Sequence, residues 1–135
     1  MAQDADLMQK IVIDTSILIE FARTKKGGYL KLKKLAGQGK VLLFTPTIVV
    51  FEFWSGDSMN KFENRQKGEE IFLGIEKIDL NEGIAKRAGE LFRKEHVDSF
   101  DAIVASTALG LDACLAIENI RHFSKIKGLK LYKSK

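Results

Sequence analysis

Hydrophobic positions along the chain follow two patterns in turn: short continuous runs, and stretches in which apolar residues recur every three or four positions. Continuous β-branched runs are typical of buried strands, and the three-to-four spacing predicts helices with one apolar face. The runs predict strands at residues 11–13, 41–44 and 113–117, with shorter candidates at 76–78 and 130–132. The helical spacing predicts helices near residues 17–21, 30–37, 46–55, 61–73, 84–92 and 100–110.

The alternation of strands with helices predicts the fold class. Strands joined by helical crossovers favour a parallel sheet that is covered by helices on both faces. The expected fold is therefore α/β, a three-layer α/β/α sandwich with a mainly parallel central sheet. At the start of the helix 46–55 we expect Thr45 to be the N-cap and Pro46 the first helical residue. In such a sheet, functional sites form at the carboxyl ends of the strands.

Length and composition narrow the class of protein further. The 135 residues fit a single domain, 1–135, with residues 1–9 expected to be a flexible N-terminal tail. The hydrophobic content of 45% and the charged content of 30% are those of an ordinary globular protein. No stretch has the apolar core of a secretory signal or the length to cross a bilayer, so we expect a cytoplasmic protein. The single cysteine, Cys114, lies in an apolar run and is interpreted as a buried small hydrophobe.

The net charge of +4 permits a polyanionic partner without demanding one. Basic residues concentrate in two segments, a group at 23–34 and the C-terminal tail from 125 onward. Their members are Arg23, Lys25, Lys26, Lys31, Lys33 and Lys34, and Lys125, Lys127, Lys130, Lys133 and Lys135. Both segments are compatible with solvated surfaces and with contacts to phosphate groups.

Two acidic residues stand out against apolar surroundings. Asp14 directly follows the strand 11–13, where it could cap the next helix or lie in a site at the carboxyl end of the sheet. Glu52 interrupts the apolar helix 46–55, and a buried carboxylate there needs a partner. That partner could be a lysine or arginine in a salt bridge, or a metal ion.

Asp98 and Asp101 open the apolar helix 100–110, where the helix dipole favours acidic side chains. Asp98 is the better candidate for a cap, and Asp101 could face the edge of the sheet. If Asp14, Glu52 and Asp101 gathered at the strand ends, their negative charges would repel one another unless a cation lay among them. A hard divalent ion such as Mg²⁺ or Mn²⁺ suits oxygen ligands, and no His/Cys spacing typical of zinc is present in the sequence.

Taken in order along the chain, these segments resemble a known family. The resemblance runs from Lys10 almost to the end and rests on Ile-Val-Ile-Asp-Thr-Ser at 11–16, Phe-Glu at 51–52 and Ser-Phe-Asp-Ala-Ile-Val-Ala-Ser-Thr-Ala at 99–108. Asn-Ile-Arg-His-Phe at 119–123 resembles the family's Asn-x-x-Asp-Phe stretch. On these motifs the chain is similar to PIN-domain proteins, specifically the VapC-like ribonuclease toxins of type II toxin–antitoxin systems.

The resemblance implies an α/β/α fold, RNA cleavage that depends on Mg²⁺ or Mn²⁺, a homodimer, and an antitoxin that blocks the site. It carries metal binding over to Asp14 and Asp101, with Glu52 completing the acidic cluster. A fourth acid often follows the last core strand in the family, and here that place holds Asn119, while His122 stands where aspartate is frequent. Asn119 could coordinate through its amide oxygen or hold a water, so the number of metals, one or two, stays open. Ile117 also replaces a frequent threonine.

We therefore expect a metal-dependent endoribonuclease in which a metal-activated water attacks a phosphodiester of RNA. Thr15 or Ser16 would position that water or a phosphate, and lysines at the rim would hold the RNA backbone. Two alternatives remain. One is a non-catalytic RNA-binding PIN domain, favoured if Asn119 weakens the metal site. The other is a phosphoacceptor or phosphatase-type α/β protein with Asp14 as nucleophile, although the second acid usual in such enzymes is Ser16 here.

Overall fold

The apolar run at residues 11–13 forms the middle of the sheet. In the computed structural model, which describes residues 8–132, five strands pair in parallel in the order β3-β2-β1-β4-β5. The strands are β1 (Gln9–Ile13), β2 (Val41–Pro46), β3 (Glu76–Ile78), β4 (Cys114–Ala116) and β5 (Lys130–Tyr132). Ile11, Val12 and Ile13 are fully buried, as expected of a strand covered on both faces.

Six helices within residues 8–132 connect these strands. They are α1 (Thr15–Thr24), α2 (Gly28–Gly37), α3 (Thr47–Trp54), α4 (Phe62–Phe72), α5 (Glu82–Glu95) and α6 (Ser99–Leu111), with short 3₁₀ turns at Asp57–Asn60 and Ile120–His122. The predicted α/β class, the parallel sheet and each predicted element are confirmed, with shifts of a few residues at the ends. None of the helices in this range has both the length and the apolar character that a transmembrane span requires.

The strand order explains where a site can form. From β1 the chain moves outward through β2 to β3, then crosses back and places β4 on the other side of β1. Right-handed crossovers in opposite directions put α1 and α2 on one face of the sheet and α5 and α6 on the other. Consistently, α6 packs on β1, β2 and β4, whereas α2 packs on β2. The reversal opens a crevice beyond the carboxyl ends of β1 and β4.

Three local expectations are corrected. Pro46 ends β2 and occupies the N-cap position of α3, and the buried Thr45 hydroxyl donates to the Ile13 carbonyl at 2.8 Å instead of capping the helix. Gln9, expected in the flexible tail, starts β1, because it pairs in register with Val41. Cys114 is only partly buried, and its Sγ accepts a hydrogen bond from the Gln9 side chain at 3.3 Å. The rest of the predicted tail, residues 1–7, and the C-terminal Lys133 and Lys135 lie outside the described residues.

Candidate active site

Asp14 lies at the carboxyl end of β1 and is fixed there by two hydrogen bonds. Its backbone N–H donates to the carbonyl of Ala116 in β4 at 3.0 Å, and its Oδ2 accepts from the N–H of Ser16 at 3.1 Å. The second bond makes Asp14 the N-cap of α1. Asp14 can therefore be both the N-cap of α1 and a ligand at the strand end, since one carboxylate oxygen makes the cap and the other remains for a ligand.

Glu52 is a half-buried acid on α3. Its Oε1 accepts a hydrogen bond from the Thr15 hydroxyl at 2.7 Å. Burial raises the pKa of the Glu52 carboxyl, whereas the hydrogen bond from Thr15 lowers that pKa. The negative charges of Asp14, Asp101 and Asp98 add to the rise. No lysine or arginine of residues 8–132 forms a salt bridge with Glu52, so the structural salt bridge considered from the sequence is absent from this part of the chain.

Asp101 lies in the first turn of α6, and Asp98 caps the same helix by accepting from the N–H of Phe100 at 3.1 Å. The cap predicted for Asp98 is confirmed. Burial raises the pKa of the Asp101 carboxyl, and the charges of Asp14 and Asp98 raise it further. His122, whose Nδ1 lies 3.8 Å from Oδ2 of Asp101, lowers the pKa of Asp101.

Asp14, Glu52, Asp98 and Asp101 are therefore electrostatic neighbours that meet at the crevice from three different elements. Within residues 8–132 no three acidic, histidine or cysteine side chains already stand close enough to enclose a metal ion. The donor set nevertheless fits a hard divalent cation, because it consists of carboxylate and hydroxyl oxygens. The raised pKa values of Glu52 and Asp101 also indicate an electrostatic cost that such a cation would remove.

The other predicted site residues lie around this cluster in different roles. Thr15 is buried and orients Glu52, as described above. The Ser16 hydroxyl accepts from the N–H of Glu118 at 3.1 Å, so it links α1 to the segment after β4. Asn119 caps the turn Ile120–His122 through its Oδ1, which accepts from the N–H of Arg121 at 3.2 Å. Its Nδ2 lies 3.3 Å from Nε2 of His122, whose other ring nitrogen is the one near Asp101, so the His122 ring links Asn119 to the acidic cluster.

Sequence reasoning missed a basic wall beside the cluster. A cavity of about 320 Å³ is lined by the acids Asp98 and Asp101 and by the basic residues Arg121, His122, Lys125 and His96. Two sequence signals pointed towards it: Lys125 belongs to the basic C-terminal segment that is compatible with phosphate contacts, and Arg121 and His122 lie in the family-like segment 119–123. Neither signal placed these residues beside Asp98 and Asp101.

The sequence matches the PIN domain over residues 11–129. Ribonuclease VapC19 of Mycobacterium tuberculosis is 27% identical over 124 residues, which cover 88% of this chain and 96% of that protein.

Two solved structures share the fold. VapBC2 from Rickettsia felis, bound to a DNA fragment from its promoter, matches with a TM-score of 0.80 at 24% identity over 94% of this chain and 100% of that chain. The DNA-bound VapBC from Salmonella typhimurium matches with a TM-score of 0.77 at 22% identity over 93% and 98% of the two chains. With this match across most of its length and the acidic crevice described above, the chain belongs to the PIN-domain family.

Proposed function

We propose that this protein is a metal-dependent endoribonuclease of the cytoplasm and the toxin of a toxin–antitoxin pair. The observation that carries the proposal is the half-buried Glu52 carboxyl, which has no cationic partner in residues 8–132 and lies among the charges of Asp14 and Asp101. Such an arrangement costs stability and is expected where a cation belongs. Membership of the PIN family and the likeness to a protein named as a ribonuclease support RNA as the substrate.

Asp14, Glu52 and Asp101 would hold the Mg²⁺ or Mn²⁺ ion. When bound, such an ion makes water more acidic and neutralises charge that develops on phosphate oxygens. Thr15 engages Oε1 of Glu52 and leaves Oε2 to bind the ion. Hydrolysis joins the water oxygen to phosphorus and breaks the bond to the leaving ribose oxygen, which takes up a proton.

The decisive experiment follows RNA cleavage by the purified protein. We expect a chelator to abolish cleavage and added Mg²⁺ or Mn²⁺ to restore it, with contaminating nuclease excluded by a parallel preparation of an inactive variant. RNA binding without cleavage under all metal conditions would instead identify a non-catalytic RNA-binding PIN domain. Covalent labelling of Asp14 by a phosphoryl donor would favour the phosphoacceptor alternative.

The antitoxin and the homodimer belong to the same proposal. Phe51 is 58% exposed next to Glu52 and packs edge-to-face on Phe100 with ring centroids 6.0 Å apart. This apolar surface beside unpaired acids suits a partner segment that carries a basic side chain.

A second apolar groove, between α5 and α6, includes Leu80, Ile103 and the 54% exposed Phe92. We assign that groove to contact with a second copy of the chain.

A further inference from the structure

The segment that carries most of the basic wall beside the acidic cluster is anchored to the core of the fold. Phe123 and Ile126 are buried in the core and anchor the segment that carries Arg121 and Lys125. The segment is closed internally, since Asn119 accepts from the N–H of Arg121 and the Arg121 carbonyl accepts from the Ser124 hydroxyl at 3.3 Å. The backbone that carries the two cations is therefore held at the cavity by the core.

The charges in the cavity come from two different segments of the chain. Asp98 caps α6 and Asp101 lies in its first turn, whereas Arg121 and Lys125 belong to the segment after β4. Neither cation takes part in the ion pairs formed within residues 8–132. These two cations line the cavity with the half-buried Asp101 and the exposed Asp98 but are not paired with them, so they are available to an anion from outside.

We propose that this cavity binds the backbone phosphate next to the scissile one, with Arg121 and Lys125 as its ligands. The inference rests on the proposed ribonuclease function, because the acidic cluster then takes the scissile phosphate through its cation. The flanking phosphate has no such ion and needs direct positive charge. The volume of about 320 Å³ lies at the lower end of small-ligand pockets, which suits one nucleotide unit of a single strand. Arg121 and Lys125 therefore position the strand and are not catalytic.

The test measures how RNA binding depends on salt, with the full chain in chelator so that no cleavage occurs. Each phosphate contact made by a cation on a single strand contributes about 0.7 to the slope of log K against log salt concentration. We expect Arg121→Gln and Lys125→Gln each to lower the magnitude of that slope by about 0.7, and Arg121→Lys to retain it. Lys40→Gln is the matched control, because Lys40 is exposed and directly precedes β2, at the amino ends of the strands and away from the site at their carboxyl ends.

Cleavage with metal added gives a second readout. Loss of a contact made equally in the ground state and the transition state raises KM and leaves kcat unchanged. We expect KM for a short RNA to rise about tenfold in Arg121→Gln and Lys125→Gln, with unchanged circular dichroism because both side chains are exposed.

The two proposals can fail separately. Slopes in Arg121→Gln and Lys125→Gln equal to that of Lys40→Gln, while RNA is still cleaved, would overturn the phosphate site and leave the nuclease standing. A protein that binds RNA with the expected slope changes but never cleaves it would support the phosphate site and refute the nuclease.

Discussion

At the scale of single residues, Asp14 combines a structural and a chemical role in one carboxylate. Asparagine caps helices as well as aspartate does, but it is neutral. We expect Asp14→Asn to fold as stably as the wild type and to lose at least about 100-fold in RNA cleavage, because an anionic ligand is replaced by a neutral one. Asp14→Ala should lose the same activity and also about 1 kcal/mol of stability, because the bond to the Ser16 N–H is gone. Urea unfolding in chelator and a cleavage assay measure the two effects.

Asp101→Asn should lose RNA cleavage to a similar extent, whereas the control variant Asp112→Asn should retain it. Asp112 is an exposed acid at the other end of α6, where it accepts from Lys130 at 3.0 Å. Normal cleavage by Asp101→Asn would remove this residue from the proposed site.

The raised pKa of Glu52 predicts a pH-dependent stability. Since the folded pKa lies above the unfolded one, the contribution of Glu52 to stability is fully present below the unfolded pKa and is lost as pH rises through the folded pKa. Glutamine does not titrate, so the melting temperature of Glu52→Gln relative to wild type should rise as pH increases above the ordinary pKa of glutamate, about 4.3. In chelator at neutral pH we expect equal or slightly higher stability, within about 3 °C.

Exposed Glu90→Gln serves as the control for this measurement. A large fall in the melting temperature of Glu52→Gln at neutral pH would show that Glu52 stabilises the fold through a partner charge.

The acids could be found from the sequence because each one breaks an apolar pattern. Asp14 ends a buried run and Glu52 interrupts another, and a buried charge needs an explanation in any fold. Arg121 and Lys125 could not be found in the same way, since basic residues in an exposed turn look like ordinary solvated surface. Their relation to Asp101 depends on where Phe123 and Ile126 anchor the chain, which is a tertiary property.

At the scale of elements, Thr45 shows how tertiary contacts override a local signal. Thr-Pro is a good start for a helix, but the carboxyl end of β2 extends through Pro46. The Thr45 side chain is 0% exposed and supplies a hydrogen-bond donor to the last carbonyl of β1, directly before Asp14. Helices and strands were predictable from hydrophobic periodicity, whereas the position of this boundary required the neighbouring strand.

Thr45→Val tests the importance of this contact between strands. The change keeps the shape of the side chain and leaves the Ile13 carbonyl without the hydroxyl, so we expect a loss of about 1–2 kcal/mol in the free energy of unfolding. Thr24→Val, in which an exposed hydroxyl at the end of α1 is removed, should cost no more than about 0.5 kcal/mol. Equal losses in the two variants would argue against a special role for the buried hydroxyl.

At the scale of the whole molecule, the acidic crevice predicts competition between a metal and a partner protein. A basic side chain of the antitoxin that enters the crevice would neutralise the same carboxylates as the ion. We expect the affinity of a co-purified partner to fall measurably as Mg²⁺ is raised, and this sensitivity to disappear in Asp101→Asn but not in Asp112→Asn. Unchanged binding at every Mg²⁺ concentration, with cleavage continuing in the complex, would contradict the prediction.

The groove between α5 and α6 predicts the oligomeric state. Phe92→Lys places a charge on the exposed apolar surface and should shift the proposed dimer towards monomer in sedimentation velocity. Phe62→Lys, a similarly exposed phenylalanine at the start of α4, is the control. Identical sedimentation of Phe92→Lys and wild type would remove this groove from the dimer interface.

The central position of β1 also bears on how the protein is made in the cell. β1 is synthesised first, yet it is completed only by pairing with β4, and the peptide of Asp14 is fixed by the Ala116 carbonyl. Roughly a hundred residues lie between these two strands, and at ordinary rates of translation their synthesis takes about 5–20 s. During that interval the ribosome carries a chain whose three acids have not yet met. Because the proposed nuclease site needs all three acids together, we expect the nascent chain to be inactive towards RNA until β4 has been made and has paired with β1.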